Sequence, residues 1–155
     1  MRLSTKGRYA VMALADLAAR QDAVAARGVA LAEVAERQQI SLSYLEQLFS
    51  RLRRRGLVVS ARGPGGGYRL ARGAEAITIA EVVLAVDEPL RATRCKDGGK
   101  GCMARGERCV THDLWEEMGR QLYGYLASVS LADVLNGSLR RVRRAPQESA
   151  AWEAA

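Results

Sequence analysis

Residues 40–70 read ISLSYLEQLFSRLRRRGLVVSARGPGGGYRL, and the fold turns on them. Leu42, Leu45, Leu48, Phe49 and Leu52 recur at intervals of three and four, the spacing of one buried helical face. Ile40 and Ser41 make a turn and cap in front of this helix, which the pattern places at residues 42–55. Arginines in its last turn and Gly56 just beyond close it. Upstream, Leu31, Val34 and Ala35 share one face of a short helix over residues 31–38. Two helices joined by a tight turn predict a helix-turn-helix. Downstream, Leu57-Val58-Val59-Ser60-Ala61 is β-prone, Arg62-Gly63-Pro64-Gly65-Gly66-Gly67 interrupts it, and Tyr68-Arg69-Leu70 resumes an extended pattern. Strand, glycine-rich turn and strand make a hairpin. A helix-turn-helix followed at once by a hairpin is a winged helix.

The flanks extend this reading. Val11, Leu14, Leu17 and Ala18 mark a helix over residues 4–21 behind a serine cap, Ser4. Thr78 and Glu81 form a capping box that opens a helix running to Val86. Residues 91–110 are polar and glycine-rich. Thr111 then caps a long helix carrying Leu114, Trp115, Met118, Leu122, Tyr125, Leu126 and Val129 along one stripe. Ser130 and Asp133 begin a last short helix, closed by Asn136-Gly137. The expected fold is mostly α with a small β-hairpin wing, a winged helix-turn-helix domain plus a long C-terminal dimerisation helix. Its expected parts are a DNA-binding domain over 1–90, a ligand-bearing loop over 91–112, a dimerisation region over 113–137 and a disordered tail over 138–155.

A chain of 155 residues, 48% hydrophobic and 26% charged, suits one globular domain with an appendage and excludes disorder throughout. No apolar run approaches the roughly 18 residues that span a bilayer. Tyr9 to Ala15 faintly resembles a signal-peptide core, but Asp16 stops it and an amphipathic pattern continues. The chain is expected to be soluble and cytoplasmic, with no membrane partner.

Basic side chains number 24 against 17 acidic ones, a surplus of +7. Arg51, Arg53, Arg54, Arg55, Arg62, Arg69 and Arg72 fall in one segment without an acidic residue, and they equal that surplus. Such a block is either a solvated face or the footprint of a polyanion. Arginine favours the second, because its planar fork matches phosphates and base edges. In a helix-turn-helix the second helix enters the major groove with its N-terminal residues near the bases. Those residues are Ser43, Tyr44, Glu46 and Gln47. Glu46 either merely solvates the helix or accepts from a cytosine amino group and rejects sequences lacking one. In the turn, Arg62, Gly63, Pro64 and Gly65 form a narrow tip suited to the minor groove. A nucleotide-phosphate loop competes, but no Gly-Lys-Ser/Thr follows.

All three cysteines, Cys95, Cys102 and Cys109, lie in one 15-residue window, and the only histidine, His112, follows Cys109 by three positions. An odd number of thiols in a chain without a secretory context is not a disulfide framework. Thiolates bind soft metals and iron–sulfur clusters, and imidazole can replace one of them. Inert cysteines, a structural zinc site and a Cys109–His112 nucleophile–base pair are the alternatives. Two six-residue gaps are loose for zinc, which usually uses a tighter Cys-x2–4-Cys chelate.

Four segments carry a resemblance: MRLSTKGRYAV at 1–11, ISLSYLEQLFSRLRRRGLVVSARGPGGGY at 40–68, AVDEPLRATRC at 85–95 and CVTHDLW at 109–115. Over residues 1–137 the chain resembles the Rrf-type winged-helix regulators, within them the iron–sulfur cluster regulators of the IscR kind. Rrf-type relatives that sense nitric oxide have the cysteines without this histidine. The resemblance implies a non-enzymatic repressor, a homodimer holding a [2Fe-2S] cluster through Cys95, Cys102, Cys109 and His112. It implies operator-base contacts by Ser43, Glu46 and Arg62 on double-stranded DNA, and repression of cluster-assembly genes while the cluster is present. The assembly machinery is then the expected cluster donor. It further implies that the cluster-free form binds a second operator class, with Glu46 discriminating between the two.

Overall fold

The computed structural model describes residues 5–24, 27–63, 65–86, 90, 101–103 and 106–139. In chain order the elements are α1 (Thr5–Arg20), α2 (Leu31–Gln38), α3 (Leu42–Arg54), β1 (Val58–Ser60), β2 (Tyr68–Leu70), a 3-10 turn (Ala74–Ala76), α4 (Ile79–Ala85), α5 (His112–Ser128) and α6 (Leu131–Leu135). The chain is mostly α with one antiparallel hairpin, as the periodicity predicts. Ser4 and the segment beyond residue 139 lie outside the described residues.

One core unites these elements. Leu14 and Leu17 of α1, Val34 of α2, and Leu45, Phe49 and Leu52 of α3 are fully buried, together with Ile77, Val82 and Leu131. The α3 stripe is the one its spacing marks, except that Leu42 at its start is exposed. Phe49 also meets Tyr68 of β2 edge to face, at 5.0 Å between centroids. That contact ties the second helix of the helix-turn-helix to the wing, and losing a buried phenyl ring there costs about 3–5 kcal/mol.

The turn between α2 and α3 is held by backbone. Gln39 takes a left-handed conformation (φ 53°), and the Ile40 amide returns to the Ala35 carbonyl at 3.0 Å. In the hairpin, Val58 pairs with Leu70 and Ser60 with Tyr68, and the Ala61 amide donates to the Gly67 carbonyl at 2.8 Å. Val29, ahead of α2, adds a bridge to Tyr68 on the other edge of β2, with reciprocal bonds of 2.9 and 2.8 Å. A Cβ on Gly67 would lie 2.3 Å from the Val29 carbonyl oxygen, so the close approach of these backbones requires glycine there.

The expected capping box forms, Thr78 with Glu81 at α4, and Ser130 with Asp133 makes a second one at the start of α6. Thr111 differs. It occupies the N-cap position of α5, yet its hydroxyl caps no amide and instead accepts from the Trp115 indole N–H at 3.2 Å. The α5 stripe also divides. Leu122 and Leu126 pack on the core, whereas Leu114 and Trp115 are 61% and 42% exposed, and Val129 lies past the helix end. No helix among the described residues is long and apolar enough to cross a membrane.

Candidate functional site

The candidate nucleic-acid face is built on α3. Burying Leu45, Leu48, Phe49 and Leu52 leaves Ser43, Glu46, Gln47 and Ser50 exposed on the opposite side, at helical spacing of three and four. Tyr44 is half-buried instead, with its ring edge to face on Tyr9 of α1 at 6.1 Å, so packing anchors it. Ser41 holds the N-cap position, but its hydroxyl caps no amide and lies 3.0 Å from the Ser43 hydroxyl.

The wing presents Arg62, Gly63 and Gly65 to solvent, while Pro64 lies outside the described residues. The Gly66 amide closes this turn on the Gly63 carbonyl at 2.9 Å. Gly65 has φ +72°, a region that side chains beyond glycine disfavour.

The arginine block is less uniform than its sequence suggests. Arg53, Arg54, Arg55 and Arg62 are exposed. Arg51 is half-buried and donates to the Val86 carbonyl beyond the end of α4, at 3.1 Å. Arg72 is paired with Glu81. Arg51 therefore braces the fold and Arg72 is neutralised by a surface partner, while Arg53, Arg54, Arg55 and Arg62 face solvent where a polyanion can meet them.

Behind this face lies a group that sequence reasoning missed. Asp16 of α1 is buried, and its carboxylate accepts from Arg37 of α2 through Nε and Nη2, from Gln38 and from Arg20. Burial alone pushes the Asp16 carboxyl up. The bonds from Arg37, Gln38 and Arg20 outweigh it and hold the group below the usual carboxylate range. In the sequence Asp16 only interrupts an apolar run, and its partner stands 21 positions away.

The second site lies where the cysteine segment enters α5. His112 is the first residue of that helix and is 6% exposed, and its Nδ1 lies 2.9 Å from the Cys102 sulfur. A small turn positions Cys102: the Gly101 amide reaches the Gly106 carbonyl at 2.9 Å, and the Met103 amide reaches Glu107 at 3.0 Å. Cys109 accepts the His112 amide on its carbonyl at 3.0 Å, and its sulfur lies 3.6 Å from the Thr111 hydroxyl. Cys95 lies outside the described residues. Glu116, one helical turn on, has an oxygen 3.8 Å from His112 Nε2. Asp113 and Glu116 also stand within ligand range of His112, but both are exposed and offer hard oxygens. The thiol–imidazole approach at a helix start is a donor set suited to a soft metal or an iron–sulfur centre.

With that geometry in place, comparison decides the family. The family model described as "Rrf2: Iron-dependent Transcriptional regulator" matches residues 3–137. The chain belongs to the Rrf2 family. It is 54% identical over 136 residues to the HTH-type transcriptional regulator IscR of Photorhabdus laumondii, covering 88% of this chain and 80% of that one. To IscR of Escherichia coli K12/DH10B it is 52% identical, covering 88% and 81%. The solved structure of T. potens IscR superposes with a TM-score of 0.70 at 35% identity, covering 89% of this chain and 88% of that one. The protein is thus a DNA-binding transcriptional regulator of winged-helix build, in a family named for regulation and not for catalysis.

Proposed function

We propose that this regulator senses iron–sulfur status through a [2Fe-2S] cluster held by Cys95, Cys102, Cys109 and His112, and represses cluster-assembly genes while the cluster is bound. The observation that carries the reading is the 2.9 Å approach of the Cys102 sulfur to the buried His112 imidazole. A lone surface histidine would have no reason to be buried against a thiol. The IscR relatives and the family's iron-dependent description support the same assignment. When bound, such a cluster reports iron supply and oxidation through its occupancy, and the assembly machinery is its source.

The chain's own residues join this site to DNA. Arg51 of α3 holds the Val86 carbonyl just before the cysteine segment, and His112 closes that segment on α5. Ser43, Glu46 and Gln47 then read bases in the major groove, Tyr44 braces them from the Tyr9 contact, and Arg62 with Gly63, Pro64 and Gly65 enters the minor groove. A second copy docks on the exposed part of α5, where Leu114, Trp115 and Tyr125 lack cover and Gly124 has open space beside it. The homodimer places two recognition helices about one helical turn apart on a pseudo-palindrome.

Protein isolated anaerobically should be reddish-brown, with about two iron and two sulfide per chain at full occupancy. Replacing Cys95, Cys102, Cys109 or His112 by Ala should lower that occupancy. A colourless protein holding stoichiometric zinc would refute the reading.

A further inference from the structure

Arg27 lies outside the helix-turn-helix and outside the hairpin, yet the fold delivers it to the wing. It stands two residues before Val29, whose reciprocal bonds of 2.9 and 2.8 Å with Tyr68 make it the wing's third edge. Gly28 between them passes so close to β2 that a Cβ there would lie 3.0 Å from the Tyr68 carbonyl oxygen. Arg27 therefore arrives at the turn end of the hairpin, and its Cδ lies 3.6 Å from where a Gly65 Cβ would be. Its stem runs beside the same turn that carries Arg62. The side chain remains 52% exposed, and among the described residues its one ion pair is with Glu33, at 3.5 Å and 43% exposed. An exposed pair of that length contributes at most about 1 kcal/mol, so Arg27 is held loosely. Glu33 is itself shared with Arg37, at 3.7 Å.

We propose that Arg27 is a second arginine of the wing, which leaves Glu33 and contacts a DNA backbone phosphate when the turn enters the groove. The inference rests on the wing reading given above. A guanidinium seated beside the turn strand meets the phosphates lining the groove that Arg62 enters, and phosphate contacts fix register without reading sequence. Exchange of Glu33 for phosphate releases a counterion from DNA, so the contact has a defined salt signature.

The test is a salt titration of DNA binding with wild type, Arg27→Ala, Arg27→Lys and Arg62→Ala. Each is measured on a duplex carrying the chain's own promoter region and on a duplex of random sequence. Arg27→Ala should weaken binding about equally on both duplexes and flatten the log–log salt slope by about one. Arg27→Lys keeps the charge and should restore the slope. If Arg62→Ala weakens binding and Arg27→Ala does not, the Arg27 contact is overturned and the wing reading stands. No change in either variant overturns both. Equal weakening by Arg27→Ala and Arg27→Lys at an unaltered slope means the stem only packs on Gly65, which also overturns the contact.

Discussion

Asp16→Asn removes one charge from the joint between α1 and α2 while nearly keeping the side chain's shape. In the wild type the carboxylate takes a two-point bond from Arg37, at 3.1 and 2.7 Å, and further bonds from Gln38 at 3.1 Å and Arg20 at 3.3 Å. A hydrogen bond to a charged group contributes about 1.5–3 kcal/mol. Arg20 is half exposed and adds little. Desolvating Asp16 offsets part of the Arg37 fork. The net loss on substitution is about 2–4 kcal/mol, because an asparagine amide would also point a donor at a donor. At this chain length that corresponds to a melting temperature lower by about 4–16 °C. The pH dependence has a defined sign. Asp16 titrates below its unfolded value of about 3.9, so its contribution is complete above that value and is lost as pH falls through the folded one. Thermal unfolding of both proteins across pH should show a constant gap from neutral pH down to about 5, narrowing below about 4. A variant within about 0.5 kcal/mol of wild type at neutral pH, or a gap that widens on acidification, would show that the Asp16–Arg37 pair does not support the fold as argued.

Glu46 is exposed on a face that otherwise carries hydroxyl and amide groups. Glu46→Ala should strengthen binding at operators offering it no amino donor, and weaken binding by about 1–3 kcal/mol where it accepts from cytosine. Cluster content should be unchanged, and equal changes across an operator panel would make Glu46 a general charge effect. On α5, replacing Leu114 and Trp115 together by Asp should shift the protein toward monomer in analytical ultracentrifugation and steeply reduce affinity for a pseudo-palindrome. An unaltered dimer would place the interface elsewhere.

Much of the fold is legible residue by residue. The α2 bounds, the β2 bounds, the α4 capping box and the start of α6 follow from the spacing of Leu31, Val34 and Ala35, from the extended run at Tyr68, from Thr78/Glu81 and from Ser130. Local rules mislead where a competing partner sits within the same turn. Thr111 has the right identity for a cap, but the Trp115 indole takes its hydroxyl. On α5 the apolar positions look like one stripe because periodicity cannot say which neighbour covers each of them. The core reaches Leu122 and Leu126 and stops short of Leu114 and Trp115.

The candidate sites divide in the same way. The chain alone shows which residue types are on offer to DNA or to a soft metal: the apolar face of residues 42–55 leaves Ser43, Glu46 and Gln47 outside, and one short window holds every cysteine and the histidine. Such facts depend on neighbours three or four positions apart, where helix geometry is the same in any protein. Tertiary structure alone decided that Arg51 braces the fold and Arg72 pairs with Glu81 while Arg53, Arg54, Arg55 and Arg62 face solvent, that Asp16 joins Arg37, and that Arg27 lies against the wing. These partners are separated along the chain by nine to 38 positions, so no local pattern encodes them. Each contact exists because burying the common core of α1, α3 and α4 fixes the angles at which the polar groups around it arrive.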